Sequence, residues 1–575
     1  MKKWIVIITM TLAATLLPVP SFSAENCFDW KEFLGQYDML WDNDITADPV
    51  FPEGVFGKRH WGRTDGYYSG ALMGNGLLGT NLYKLTDGVY RLNVGRSDVT
   101  EAREPFNVYN SGRLPIGYFT FSTVGQVQDE KMRLSIYDAV TSGALKTNAG
   151  KLDFRTYVHS ERECIIFDTH AEGGETGWKL DFVPQKAISP RYVFNSANAP
   201  KGYVNAEGKS NPDSYFRKDG DISFCIQALA KDTTFTDIAR WYLVAWKTVR
   251  NGADTRTIAT VTQADKLAKA EAEAKVIIRN AFSATKEKLD SQHVAWWHNF
   301  YRDAAFLTFP DKNIERFWWF QYYKFASTAR PGKPIVDLQG VWPTSDTPWP
   351  AIWMNLNIQL TYSWLTKVNL GQLEQPLWDS FWKNRENLTR NVTDIPGQEG
   401  WKDCMVMPRA SSYDMHAALS PALAQRNQYE VGDLTWTLFY YWQMCEAYRD
   451  DFQMKERLFP LLKSAVNIFF RIRITNPDGT YSLPSTASPE YGECELGEIG
   501  SNSNYDLANL RWGLSTLISI DEKYRLNDPM LPKWKDFLEN LPAFGYDEET
   551  GFKVSDKFEF TDTTHRHWSH LFMIY

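Results

Sequence analysis

At 575 residues, 43% of them hydrophobic, the chain carries more apolar material than one core usually holds, so two or more domains are expected. A formal net charge of −8, without any Lys/Arg block long enough to track a phosphate backbone, argues against a nucleic-acid partner. The 34 Phe, 28 Tyr and 23 Trp can fill large cores and still leave ring surface for stacking on sugars.

Residues 1–24 have the features of an export signal: Lys2 and Lys3, an apolar run from Trp4 to Val19, then Ser21-Phe-Ser23-Ala24 with small residues for cleavage near Ser23/Ala24. Pro18 and the shortness of the run disfavour a membrane anchor, and no later stretch reaches the ~20 apolar residues that a span needs. Asn26 before Cys27 is not the small residue that lipidation uses. The mature chain is therefore expected in the periplasm or outside the cell. Its six cysteines are too scattered for a disulfide framework; one or two bridges are allowed, and most are expected to be buried thiols. The nine histidines show no ligand spacing, so a metal site is not expected.

From about Asp65 to Gln263 polar and apolar residues alternate in short runs, such as Tyr118-Phe-Thr-Phe-Ser122, Leu152-Asp-Phe-Arg-Thr-Tyr157 and Trp241-Tyr-Leu-Val-Ala-Trp246. Period two with Gly, Asn and Asp punctuation predicts antiparallel strands, and so many of them predict a β-sandwich over residues 25–263. Ala264 to Leu289 is rich in Ala, Glu and Lys, the composition of a solvated helix, and marks a helical linker over 264–300. Beyond Ile314 apolar spacing becomes three and four, with helices expected near 313–329, 353–369, 374–393, 431–449, 454–473, 504–524 and 531–541. Such hairpins in residues 301–575 close into a toroid or stack as an open solenoid; no fixed repeat favours the solenoid.

Gly74-Asn-Gly76-Leu-Leu-Gly79 matches a dinucleotide fingerprint literally, yet the residues after it read as a hairpin rather than a helix, so the glycines are expected to shape a loop. Asn355-Leu-Asn357, behind Trp342, Trp349 and Trp353, either caps a helix or holds hydroxyls or a water against aromatic faces. Glu490, in the Pro-marked loop Leu483-Pro-Ser-Thr-Ala-Ser-Pro-Glu490-Tyr491, is either a solvated acid or a general acid whose pKa its neighbours raise. Asp562, ahead of His565-Arg-His567, is likewise either a loop acid or a base. Two well-separated carboxyls amid tryptophans suit glycosidic cleavage, where one protonates the leaving oxygen and the other activates water, and hydrolysis by two carboxyls requires no organic cofactor.

These residues, together with Ser327-Thr-Ala-Arg-Pro-Gly332, Leu338-Gln-Gly-Val-Trp342 and His565-Arg-His567-Trp-Ser-His570-Leu571, resemble glycoside hydrolase family 95, inverting α-L-fucosidases that include α-L-galactosidases. The resemblance implies an N-terminal β-sandwich, a helical linker and an (α/α)6 barrel. It makes Glu490 the general acid, Asp562 the base with Glu559 as its fallback, and Asn355 and Asn357 the residues that orient the water. Trp349, Trp353, Tyr491, His565, His567 and Asn75 are expected to bind the sugar. Ile358-Gln-Leu-Thr-Tyr362-Ser-Trp364 lacks an acid usual in the family, and Trp401-Lys-Asp-Cys404 replaces a His-His-Asn-Thr-Asp neighbourhood, which leaves the sugar open. The chain stops at Tyr575, just past the histidine motif, so a toroid without its final helices is expected. The implied activity is exo-hydrolysis of terminal α-L-fucose or α-L-galactose with inversion; a carbohydrate-binding protein without chemistry, and a lyase or phosphorylase on a similar toroid, are the alternatives.

Overall fold

The computed structural model describes residues 28–42, 67, 69–101, 112–190, 211–230, 239–342, 349–407, 409–416, 430–486, 499–562 and 567–574. A short helix, α1 (Trp30–Gly35), precedes fourteen strands. These are β1 (Met39–Asp42), β2 (Ala71–Gly74), β3 (Leu78–Thr86), β4 (Val89–Arg96), β5 (Gly117–Ser122), β6 (Val127–Ser135), β7 (Val140–Thr147), β8 (Gly150–Val158), β9 (Ile165–Gly173), β10 (Lys179–Pro184), β11 (Tyr215–Asp219), β12 (Ile222–Ala228), β13 (Trp241–Asn251) and β14 (Asp254–Ala264). They form an antiparallel nine-stranded sheet, β1-β6-β7-β8-β9-β14-β13-β12-β11, and a five-stranded sheet, β10-β5-β4-β3-β2. Period two sets which faces meet: in β5, Phe119 and Phe121 are buried while Tyr118 and Thr120 are only partly so. The Phe121 ring lies 5.3 Å from Phe154 of β8 and 5.2 Å from Phe167 of β9, across the two sheets. Burying such a ring stabilises by about 1.5–3 kcal/mol, and the sandwich is the expected one.

The linker differs from its sequence reading. Two helices follow β14, α2 (Leu267–Ser283) and α3 (Lys286–Asp303), divided where Thr285 caps α3 by accepting from the N–H of Lys288. Neither is a solvated strut. Ala270, Ala274 and Ile278 of α2 pack on Phe224 and Leu243 of the large sheet, and α3 buries Trp297, Phe300 and Tyr301. Alanine at helical spacing therefore marks close packing on a sheet here, not exposure.

The rest is helical: α4 (Lys312–Thr328), α5 (Asn357–Tyr362), α6 (Gln375–Lys383), α7 (Arg385–Thr393), α8 (Asp433–Tyr448), α9 (Phe459–Ile472), α10 (Asn504–Tyr524) and α11 (Leu531–Glu539). α4 and α10 lie where periodicity put them. The helix expected over 353–369 shrinks to α5, because Ile352–Trp353 forms a strand, β15, that pairs with β16 (Ala410–Ser411). The stretch 374–393 divides into α6 and α7 at Asn384, whose backbone leaves the helical region. No described helix is long and apolar enough to cross a membrane. Cys164, Cys225, Cys404 and Cys445 are buried free thiols, as expected of most; Cys27 and Cys494 lie outside the described residues, as does the signal-like segment 1–24.

The glycine motif is an interdomain contact. β2 and β3 form a tight hairpin, and the N–H of Gly76 donates to the Ser327 carbonyl at the end of α4. A Cβ on Gly74 would stand 2.5 Å from that carbonyl, and one on Gly79 would stand 2.4 Å from Val341 Cγ2. Trp342 donates from Nε1 to Met73 O (2.8 Å), Tyr323 donates to Leu72 O (2.6 Å), and the buried Arg113–Asp337 pair (3.1 Å) joins the same surfaces. The missing side chains let the two backbones touch, as the loop reading of these glycines allows.

Candidate functional site

Two helix starts meet in the helical region. A Cβ on Gly432, just before α8, would lie 2.7 Å from the Tyr505 ring in the first turn of α10. Tyr505 donates its hydroxyl to Asp433 Oδ1 at 2.6 Å. Asp506, one residue on, accepts from Ser503 Oγ (2.9 Å) and from the hydroxyl of Thr486, while its own N–H donates back to Ser503 Oγ (3.1 Å). This reciprocal cap explains why α10 starts at Asn504. It also draws Thr486, four residues before Glu490, onto the helix end.

On the other side, Glu430 is fully buried and takes Arg409 through Nη2 (2.5 Å) and Nε (3.2 Å). Arg409 in turn accepts at its carbonyl from the N–H of Met354 (2.7 Å), just after β15. Asn355 follows directly. Gln359 of α5 donates to Thr437 Oγ1 (3.0 Å), and Thr437 donates to the carbonyl of Asp433 (2.8 Å). Hydrogen bonds and chain adjacency thus connect the Asn355 segment to Arg409, Glu430, Asp433, Tyr505, Asp506 and Thr486.

The electrostatics follow from burial. Burial first, and then the charge of Glu430 nearby, hold Asp433 well above the usual carboxylate range. Burial pushes Asp506 up to about 7, partly offset by its hydrogen bonds to Thr486 and Ser503. Between 3.8, its ordinary value, and about 7 the folded chain holds a proton that the unfolded chain has released, so stability falls as pH rises and the loss is complete above about 7. Asp506→Asn keeps an acceptor for both hydroxyls and should flatten that slope by up to about 1.4 kcal/mol per pH unit. Urea unfolding from pH 4 to pH 8 measures it; an unchanged slope would contradict the assignment.

Asn355 is 1% exposed, and among the described residues neither its amide nitrogen nor its oxygen meets a hydrogen-bond partner. It does not cap α5, whose N-cap position belongs to Leu356 without any side-chain bond. Asn357 opens α5 and is half-buried. The Trp349 and Trp353 rings stand edge to face at 4.6 Å beside them. At the chain's end, Ser569–Ile574 packs on α10: Phe572 lies 5.3 Å from Tyr505 and 4.7 Å from Trp436, and His567 and His570 are buried.

Asp562 is exposed on a 3₁₀ turn, its Oδ2 accepting from the N–H of Glu559 (2.9 Å). Glu559 is held by Lys553 and by Thr550 (2.9 Å). Asp562 therefore does not join the buried network. Its segment nevertheless lies against the approach to α10, with Ser555 donating to Ile499 O and Asp556 N–H to Ser501 O (3.0 Å). Glu490, Tyr491 and His565 lie outside the described residues. Asn75 stands apart from the network: its amide donates to His159 O (3.0 Å) and Arg162 O (3.2 Å), and its oxygen accepts from the N–H of Leu77 and Leu78. With its amide engaged on the sandwich loops, Asn75 is a structural residue here rather than a sugar ligand.

A cavity of about 180 Å³ abuts this network, lined by Trp401, Gln398, Val431, Pro484, Ser485 and Thr486 among others. The larger cavity, about 640 Å³, lies along α4 and contains none of the network residues. The smaller one is the candidate site because the carboxyl network abuts it, whereas the one carboxylate lining the larger cavity, Asp337, is already engaged by Arg113 and Tyr413. Sequence reading missed Arg409, Glu430, Asp433 and Asp506. Only Ser503-Asn-Tyr-Asp506 carried a signal, and it was one for a helix start.

A sandwich ahead of a helical region is the fold these residues build. A solved structure described as "Putative kojibiose phosphorylase from human microbiome" shares the fold with a TM-score of 0.58 over 84% of this chain and 68% of that one, at 12% identity. Residues 287–575 match the Glycosyl hydrolase family 95 catalytic domain, and the chain belongs to that family. "Alpha-L-fucosidase 2" of Arabidopsis thaliana is 25% identical over 275 residues, covering 44% of this chain and 31% of the relative. "Probable alpha-fucosidase A" of Aspergillus niger is 24% identical over 274 residues, covering 44% and 32%. The chain thus spans about a third of the length of these curated relatives.

Proposed function

We propose that the chain is an exported glycoside hydrolase that removes a terminal α-L-fucose or α-L-galactose residue from a glycan with inversion. The observation that carries this reading is Asn355: a buried amide with neither end paired among the described residues, beside a network of buried carboxyls, suits a water held for attack on a sugar. In this account Glu490 protonates the leaving oxygen. Asp562, aided by Asn355 and Asn357, positions and deprotonates the water, with the two carboxyls ~6.5–9.5 Å apart to make room for it. Trp349, Trp353, Tyr491, His565 and His567 bind the sugar, the helical region is built as an (α/α)6 toroid, and residues 1–24 direct export. Family membership, two fucosidase relatives and the helix-start network support the reading. A panel of aryl α-L-fucosides and α-L-galactosides tests it. Turnover of at least one is expected, and none with a folded chain would contradict it.

Carbohydrate binding without hydrolysis is the second reading, favoured by the exposure of Asp562 outside the buried network. Calorimetric binding of fucosylated glycans in the absence of any product would select it.

A further inference from the structure

The larger cavity, about 640 Å³, is a cleft between one face of α4, the 336–342 loop, and Thr361 and Trp364 at and beyond the end of α5. It shares no lining residue with the carboxyl network. Phe317, Gln321, Lys324 and Thr328, spaced by four, three and four residues, form one stripe of α4 along its length, with Trp318, Tyr322 and Phe325 beside them. Trp364 closes the far wall, its ring 6.0 Å from Trp318, 5.5 Å from Tyr322 and 5.7 Å from Phe325. Gln339 adds an amide.

Lys324 is the anomaly in this wall. It is half-buried, and among the described residues its ammonium makes neither an ion pair nor a hydrogen bond; desolvation alone acts on it and lowers its pKa. The carboxylate on the same lining, Asp337, is already committed to Arg113 (3.1 Å), to the Tyr413 hydroxyl (2.7 Å) and to the N–H of Gln339 (2.8 Å). An ammonium removed from water without a counter-charge is costly, and a bound anion offsets that cost. Aromatic walls with amides and hydroxyls at their edges suit a ring that has C–H faces and a polar rim.

We propose that this cleft is a second saccharide site, separate from the hydrolytic one, that takes a sugar bearing a carboxylate or a sulfate ester, with the anion on Lys324 and the ring against Trp364. The choice of a saccharide rests on the glycan-directed function proposed above; the anionic substituent rests on Lys324.

Calorimetry on the full chain tests it with methyl α-D-glucuronide, D-galactose 6-sulfate and neutral methyl α-D-galactoside, and the two anions distinguish carboxylate from sulfate. At least one anion should bind with a millimolar or tighter Kd, at least tenfold more weakly in Lys324→Gln and with most affinity kept in Lys324→Arg. The neutral glycoside should bind more weakly and ignore both substitutions. Amine acylation, read by peptide mass mapping on the unsubstituted chain, should label Lys324 and be slowed by the anion that binds. No heat from either anion, equal binding by Lys324→Gln, or labelling that the anion leaves unchanged would overturn the site. Because binding is measured without turnover, a chain that hydrolyses fucosides but binds neither anion overturns this inference alone. One that binds an anion but hydrolyses nothing overturns only the hydrolase reading.

Discussion

Glu490→Gln should lower turnover of a glycan or an alkyl α-L-fucoside by 10²–10⁴-fold, the range that a positioned general acid supplies, while changing binding little. Of the described residues flanking Glu490, Thr486 is bonded to Asp506 at the start of α10, and Ile499 accepts from Ser555. The loss should depend on the leaving group. A dinitrophenyl fucoside departs without a proton and should be affected far less, whereas Asp562→Asn should slow good and poor leaving groups alike, because both need the water activated. Initial rates on the two substrate types check this. A uniform loss across leaving groups in Glu490→Gln would assign the residue another role.

Arg409→Met should destabilise the chain by about 3–5 kcal/mol, the cost of leaving a buried charge without its partner. Glu430 has no exposed surface, and Arg409 is its counter-ion at 2.5 Å. Adding Glu430→Leu should recover much of the stability, since neither charge is then buried. Denaturant unfolding of the single and double variants measures it, and a loss under 1 kcal/mol at pH 8 would show that the pair is not what holds the network.

Strands of the sandwich were legible because a half-buried strand writes its two faces directly into the sequence, as Tyr118 to Ser122 does. α4 and α10 were legible for the corresponding reason at period 3.6. The shortening of α5 was not, because β15 pairs Trp353 with Ala410, a contact that local periodicity does not encode. In the site, motif order pointed to Asn355, Asn357 and the tryptophans. Asp433 and Asp506 read as ordinary first-turn acids, favourable near a helix N-terminus. What sets them apart is that the two helix starts face each other away from water, which only tertiary packing creates. Asn75 is the converse case: an Asn between glycines looked available for a ligand, and the hairpin spends its amide on backbone groups.

The proposed reaction is a single displacement by water, with one carboxyl giving a proton and another taking one. Proton NMR of the first sugar released from an aryl α-L-fucoside tests it most directly, before mutarotation mixes the anomers. β-L-Fucose is expected as the first product; α-L-fucose appearing first would contradict inversion.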